Sequence, residues 1–368
     1  MTTLFHKCGP ACAPHESHHA SGAGTGRKRP FTIDFHCHAF VPEVEALVKD
    51  YPQKKAEPEL ALRMLGQASV DYNNQTMLPA AGPKLVNLET RLAEMDAMGV
   101  DLQVVSPTST QHYYWAEPEL AREVVRLQNE RIAEICAAHP DRLQGLGNVA
   151  LQHADLSVEQ LIEAHRLGLK GVEVSTSVNG KELSDPAFAR FWAKAEELGS
   201  IVFIHPFGTS LGERVNQFYL QNIIGQPIET TIALSYLIFS GTLDRHPGIR
   251  IVAAHGGGYL PHYIGRSDHG WQARADARTC QHPPSEYLKR IWFDSLVYEP
   301  ESVRHLINVA GVSQVVLGTD WPFDMGHYDV HELINAIPGL SDSDRAAILG
   351  GNAAGLLGLD IAALQSGH

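Results

Sequence analysis

The chain has 368 residues, 44% hydrophobic and 19% charged, so it holds enough apolar material for a large core and is not a disordered chain. Its 29 Lys and Arg against 42 Asp and Glu give a net charge of -13, a field that repels phosphate backbones and anionic lipid and excludes a nucleic-acid or membrane-surface role. Five scattered cysteines (Cys8, Cys12, Cys37, Cys136, Cys280) make no disulfide framework, and no run of eighteen apolar residues or signal-like start is found, so a reducing, cytoplasmic location is expected.

Residues 1–30 are rich in Gly, Ser, Ala and His with little periodicity, and are expected to be a flexible leader. Cys8, Cys12, His15, His18 and His19 lie there, but their spacing matches no zinc finger, and a mobile arm or subunit contact is preferred.

From Phe31 onward, short apolar runs alternate with longer stretches of helical periodicity. Strands are expected at 31–35, 102–106, 143–149, 171–174, 201–204, 251–254, 291–294 and 314–318. Helices are expected at 87–98, 119–138, 157–167, 185–198, 229–240 and 300–310. Eight strands with intervening helices predict an α/β fold, a (β/α)8 TIM barrel. An open doubly wound sheet is the alternative, but no G-x-G-x-x-G turn follows the first strand. The stretch between the first two strands is overlong, and its weakly periodic part, about 51–85, is expected to be an insertion over the barrel mouth.

The first strand ends Ile33-Asp34-Phe35-His36-Cys37-His38, and two His one residue apart on an extended chain point to the same side. With twenty His in the chain, that pair alone could arise by chance. Three further polar residues also follow apolar strands immediately: His205 after Val202-Phe203-Ile204, His255 after Val252-Ala253-Ala254, and Asp320 after Val316-Leu317-Gly318-Thr319. In a barrel these ends converge on one mouth, so His36, His38, His205, His255 and Asp320 should meet there, a set that could grip a divalent ion. Phe207, Trp321 and Phe323 adjoin these residues and could wall a flat substrate, ordinary barrel packing being the other role open to them.

The segments FTIDFHCH, VFIHPFG, AAHGGGYLPHYIGRSDHG and LGTDWPF resemble the amidohydrolase superfamily, in particular its aminocarboxymuconate-semialdehyde decarboxylase-like branch. The likeness runs from Phe31 to about Leu359 and includes Arg91-Leu92-Ala93-Glu94-Met95-Asp96 and Tyr114-Trp115-Ala116-Glu117-Pro118-Glu119. The resemblance implies a divalent metal, Zn2+ or Mn2+, held by His36, His38, His205 and Asp320. It also implies His255 as the catalytic acid/base, and Asp320 could relay a proton as well as bind the metal. The implied reaction is non-oxidative loss of CO2 from a small aromatic or unsaturated carboxylic acid. Arg266 matches an arginine that in this family reaches a neighbouring subunit's site to hold carboxylate, implying a homodimer or higher homo-oligomer. Its alternative is an ion pair within the chain, for example to Asp268.

One departure concerns the substrate. The prototype of the branch has a further substrate-binding arginine in the insertion, whereas no arginine occurs here between Arg63 and Arg91, and Lys84 offers a point charge in place of a planar fork. A carboxylated ring or dienoic acid other than the prototype's substrate is therefore expected. Cys37 should point away from its neighbouring His by strand alternation, Lys170 precedes its strand, and His262 and His269 are expected at the surface or an interface. Gly256-Gly257-Gly258 suits a tight turn or a close substrate approach. The same ion could serve a hydratase or hydrolase of a related acid or lactone, and a noncatalytic metal-binding scaffold is the non-enzyme alternative.

Overall fold

The computed structural model describes residues 29–366. Eight parallel strands form the core: β1 (Ile33–Ala39), β2 (Leu102–Pro107), β3 in two short pieces (Leu143–Gly145 and Gly147–Asn148), β4 (Gly171–Val174), β5 (Ile201–Ile204), β6 (Arg250–Ala253), β7 (Ile291–Asp294) and β8 (Val315–Val316). Each pairs with the next in sequence. The ring closes where the Phe35 N–H donates to Leu317 O at 2.8 Å, the Asp320 N–H to His36 O at 2.7 Å and the His38 N–H to Trp321 O at 2.9 Å. The fold is the (β/α)8 barrel that the spacing of apolar runs predicts.

Strand alternation builds two apolar layers. Ile33, Phe35, Leu102, Val104, Ile201, Phe203, Val252 and Val316 form one buried cluster with helix Asn352–Leu357, which closes on them. The intervening residues, such as Val105, Val172, Val202, Ile251, Phe293 and Val315, pack outward against helix residues including Leu161, Phe191, Trp192 and Leu306. Each such side chain contributes about 1.5–3 kcal/mol by leaving water.

Helix ends follow local rules. Helix Leu88–Met98 starts at Asn87, whose side chain accepts from the Thr90 N–H at 2.8 Å, and stops at Gly99, which takes the left-handed conformation. Helix Pro118–Ala138 opens on proline and turns Leu120, Val124, Val125 and Ile132 inward. The insertion is almost wholly helical, with Pro52–Leu65, Gln67–Tyr72 and Leu78–Val86 joined by a wide turn at Asn73–Met77. Its periodicity is weak in the sequence because Pro58, Gly66 and Pro83 interrupt it and helix Pro52–Leu65 buries no residue completely. The leader expected at 1–30, with its Cys and His, falls outside the described residues except for Arg29 and Pro30. No described helix is long and apolar enough to cross a membrane.

One irregularity positions the site. The β1–β2 register shifts between Asp34 and Cys37, and at this shift the consecutive Phe35 and His36 both turn inward, their rings 6.0 and 5.0 Å from that of Phe203. Gly318 makes room for His36 and Asp294: a Cβ there would stand 2.8 Å from the Cβ atoms of both. Cys37 faces the other way, its thiol directed at Val104 O and Arg91.

Candidate metal centre

The C-terminal ends of β1, β5 and β8 bring four side chains into one cluster. His36, His38, His205 and Asp320 each offer a ligand atom, and these atoms all lie within 4.8 Å of one another. All four residues are buried, and Asp320 is the most open at 8% exposed. His36 Nε2 lies 3.2 Å from His38 Nε2, and Asp320 Oδ1 stands 3.4 and 3.2 Å from those two nitrogens. The His205 ring is 4.9 Å from each of the other two rings. His255 completes the group, its ring 5.1 Å from His205 and 5.2 Å from His36, with Nε2 3.8 Å from Asp320 Oδ2.

The donors fit a divalent ion. Both ring nitrogens of His205 and Oδ1 of Asp320 are buried without a hydrogen-bond partner, a costly condition that a cation would relieve. Burial, reinforced by the neighbouring His38, His36 and His255, pushes His205 well below the usual imidazole range, so it is neutral and ready to ligate. Burial opposes ionisation of Asp320, but His36, His255 and His38 outweigh it and hold the carboxyl well below its ordinary value. Burial likewise disfavours a charged His36, yet Asp320 and Asp294 raise it to about 10, so this pair of acids creates a demand for positive charge at the ring. Three imidazoles and one carboxylate form a nitrogen-rich set with one hard oxygen, which suits Zn2+ or Mn2+.

A further shell of polar groups fixes these side chains. Asp294 Oδ2 lies 2.7 Å from His36 Nδ1 and accepts the His255 N–H at 2.9 Å, while its Oδ1 accepts the Gly256 N–H at 2.8 Å. Asp34 collects Thr319 Oγ1, Gln103 Nε2 and the His36 and Thr319 N–H groups, and burial raises its carboxyl to about 6 despite them. Arg91, 2% exposed, donates to His38 O and Gln103 Oε1, so the carbonyl of a candidate ligand is itself held. His255 and Asp320 both have positive φ, 54° and 58°, conformations that non-glycine residues adopt at a cost. The Gly256-Gly257-Gly258 run makes the tight turn beside them: at Gly258, with φ 67°, a Cβ would lie 2.1 Å from Pro227 O.

The remaining expected residues are placed differently. Phe323 stands beside the cluster, its ring 5.7 Å from that of His38, and Phe207 follows His205 with 53% of its surface exposed. Trp321 is 1% exposed and turned into the protein: Nε1 donates to Glu94 Oε2 at 2.7 Å, and the Arg91 guanidinium lies 4.3 Å from the ring. It occupies the packing position open to it from sequence. Arg266 lies on helix Leu260–Ala273, exposed, with no hydrogen bond or ion pair among the described residues, and Asp268 instead accepts the Ser285 N–H. The structure therefore does not bring Arg266 to Asp268. Lys84 is bound to Glu94 at 2.7 Å. Lys170 sits at the N-terminal end of β4, and the residue of that strand that reaches the cluster is Glu173.

Sequence reasoning missed Asp294, Glu173 and Ser106. Each occupies the last or next-to-last position of its strand, whereas His205 and His255 stand just beyond theirs.

Comparison with known proteins shows the family of the chain. The amidohydrolase family profile, Amidohydro_2, matches residues 33–359. The chain is 38% identical over 275 residues to 2-amino-3-carboxymuconate-6-semialdehyde decarboxylase of Dictyostelium discoideum, covering 74% of this chain and 77% of the relative. Among solved structures, 5-carboxyvanillate decarboxylase from Sphingomonas paucimobilis superposes with a TM-score of 0.79 at 26% identity, over 90% of this chain and 99% of that one. The corresponding enzyme from Novosphingobium aromaticivorans, complexed with manganese and 4-hydroxy-3-methoxy-5-nitrobenzoic acid, shares the fold at a TM-score of 0.79 and 22% identity, over 90% of this chain and 96% of that one. The chain belongs to the amidohydrolase-2 family, in its aminocarboxymuconate-semialdehyde decarboxylase-like branch.

Proposed function

We propose that this member of the amidohydrolase-2 family is a divalent-metal-dependent carboxy-lyase that removes CO2 without oxidation from a small aromatic or unsaturated carboxylic acid. The observation that carries the reading is the gathering of His36, His38, His205 and Asp320 within 4.8 Å, with His255 beside them. Relatives named for the decarboxylation of a carboxymuconate semialdehyde and of carboxyvanillate support the substrate class.

In this reading His36, His38, His205 and Asp320 hold one Zn2+ or Mn2+, which when bound supplies Lewis acidity at a substrate oxygen or to an attacking water. His255 carries the proton chemistry. When the bond to the carboxyl carbon breaks, CO2 departs, the electron pair stays on the ring or diene carbon, and His255 delivers a proton there. The Asp294 carboxylate fixes the His255 backbone, and Asp320 Oδ2, 3.8 Å from Nε2, provides a second station for the proton. Phe207 and Phe323 flank a flat substrate.

Arg266, without a hydrogen bond or ion pair among the described residues, holds a substrate carboxylate in a neighbouring subunit, making the active unit a homodimer or higher homo-oligomer. The exposed Tyr259 and Tyr263 share its surface hollow and suit such a contact. The catalytic barrel spans 31–368, its insertion 51–85, and the enzyme works in the cytoplasm.

The test is a panel of hydroxybenzoates, aminobenzoates and carboxymuconate derivatives offered to metal-replete protein, followed by CO2 release and mass change. A single turnover in D2O should leave deuterium at the vacated carbon. A product heavier by one water, or cleavage without CO2, would replace decarboxylation with hydration or hydrolysis.

A further inference from the structure

Glu173 is a fully buried acid at the C-terminal end of β4, and among the described residues no lysine or arginine touches it. Its Oε2 accepts the Ser106 hydroxyl at 2.5 Å and lies 3.6 Å from His38 Nδ1, while its Oε1 lies 3.2 Å from His112 Nε2. Ser106 Oγ is itself 3.2 Å from His38 Nδ1. Burying a carboxylate away from any lysine or arginine is strongly disfavoured. A neutral amide of the same shape could hold Ser106 at far lower cost, so the charge itself needs a reason.

The reason lies in the orientation of His38. Its Nε2 faces the cluster, 3.2 Å from both His36 Nε2 and Asp320 Oδ1, so a metal held there would take Nε2 and leave the proton on Nδ1. The acceptors facing Nδ1 are Ser106 Oγ and, behind it, Glu173. His36 is held directly by Asp294, and His38 would then be held in the same way at one remove, through a hydroxyl. His112, 5% exposed and on the loop after β2, is the group that faces the far oxygen of Glu173.

We infer that Glu173 is a positioning residue that acts through Ser106 to fix the tautomer, orientation and donor strength of the candidate ligand His38, with His112 facing its other oxygen. The inference rests on the metal-site reading given above and adds a relay of three side chains behind one ligand. The Ser106 hydroxyl donates to Glu173 and accepts from His38 Nδ1–H, so neither end can be replaced without loosening the other.

Binding of Zn2+ alone to the full-length apoprotein, measured by competition with a chromophoric chelator, tests it without any substrate. Glu173→Gln should weaken Zn2+ binding about 10- to 100-fold, Ser106→Ala should do the same, and the double variant should be little worse than either single one. The visible bands of the Co2+-loaded protein should shift in both variants, a change that loss of packing alone would not produce. Ser106→Ala leaves the carboxylate in place and carries the test if Glu173→Gln does not fold. If wild-type protein takes up neither Zn2+ nor, in a parallel titration, Mn2+, the metal-site reading fails and takes the inference with it. If the wild type binds Zn2+, but the variants bind it as tightly with unshifted Co2+ bands, the relay alone is overturned.

Discussion

His36 Nδ1 and Asp294 Oδ2 stand 2.7 Å apart, both fully buried, and the same carboxylate anchors the backbone of His255 and Gly256. One acid thus couples a candidate metal ligand to the candidate proton donor. Asp294→Asn keeps the volume but removes the charge that steers the imidazole, and is expected to lower metal affinity or turnover about 10- to 100-fold. Metal titration and steady-state rates on the same preparation check this, and a variant indistinguishable from wild type in both would remove Asp294 from the site.

His36 and His255 occupy neighbouring positions but different roles. His36→Ala removes a ligand from the centre of the cluster and should leave purified protein without stoichiometric metal. His255→Ala should retain the metal while turnover falls about 10²- to 10⁴-fold, the range for loss of a general acid. Elemental analysis beside CO2 release separates the two. Equal loss of metal in both variants would make His255 a ligand.

Much of this site is legible in the sequence because a barrel gathers the ends of its strands, so a polar residue directly after an apolar run declares its destination. That logic found His205, His255 and Asp320 across 116 positions of chain. Asp294 obeys it too, while Glu173 sits between Val172 and Val174 inside its strand; a carboxylate at a strand end is also an ordinary helix or loop cap, and only their burial marks these two. The direction of Trp321 was not legible either. Its neighbours in sequence lie at the mouth, but its indole turns to Glu94 and Arg91, partners from a helix more than two hundred residues earlier. The insertion hid its helices behind Pro58, Gly66 and Pro83, and a helix that buries no residue completely leaves no apolar stripe to detect.

Arg266 offers a test of subunit sharing that needs no crystal. Arg266→Ala and His36→Ala are each expected to be inactive, one lacking the carboxylate fork and the other the metal. Mixed and allowed to exchange subunits, they should regain about a quarter of wild-type activity, because half the dimers pair the two chains and each such pair assembles one complete site. No recovery, with exchange demonstrated by mass, would place Arg266 outside the neighbouring site.

The loop that carries His112 is tied to the insertion through Glu45, and this tie predicts a pH dependence. Glu45 accepts from the Tyr113 hydroxyl and from Gln111 Nε2, and lies 2.7 Å from Lys54, which also donates to Tyr113 at 2.9 Å. Burial raises its carboxyl, but Lys54, Tyr113 and Gln111 more than compensate, so the folded-state value lies below the ordinary one. The folded chain therefore binds this proton more weakly than the unfolded chain does. The resulting stability is fully present above the ordinary Glu range and is lost as pH falls through the depressed folded value. Glu45→Gln should cost about 1–3 kcal/mol near neutrality, the worth of hydrogen bonds to a charged group, and the gap to wild type should close in acid. Urea unfolding midpoints measured from about pH 3 to 8 decide it, since a gap that held constant or widened toward acid would mean that the carboxylate contributes nothing as a charge.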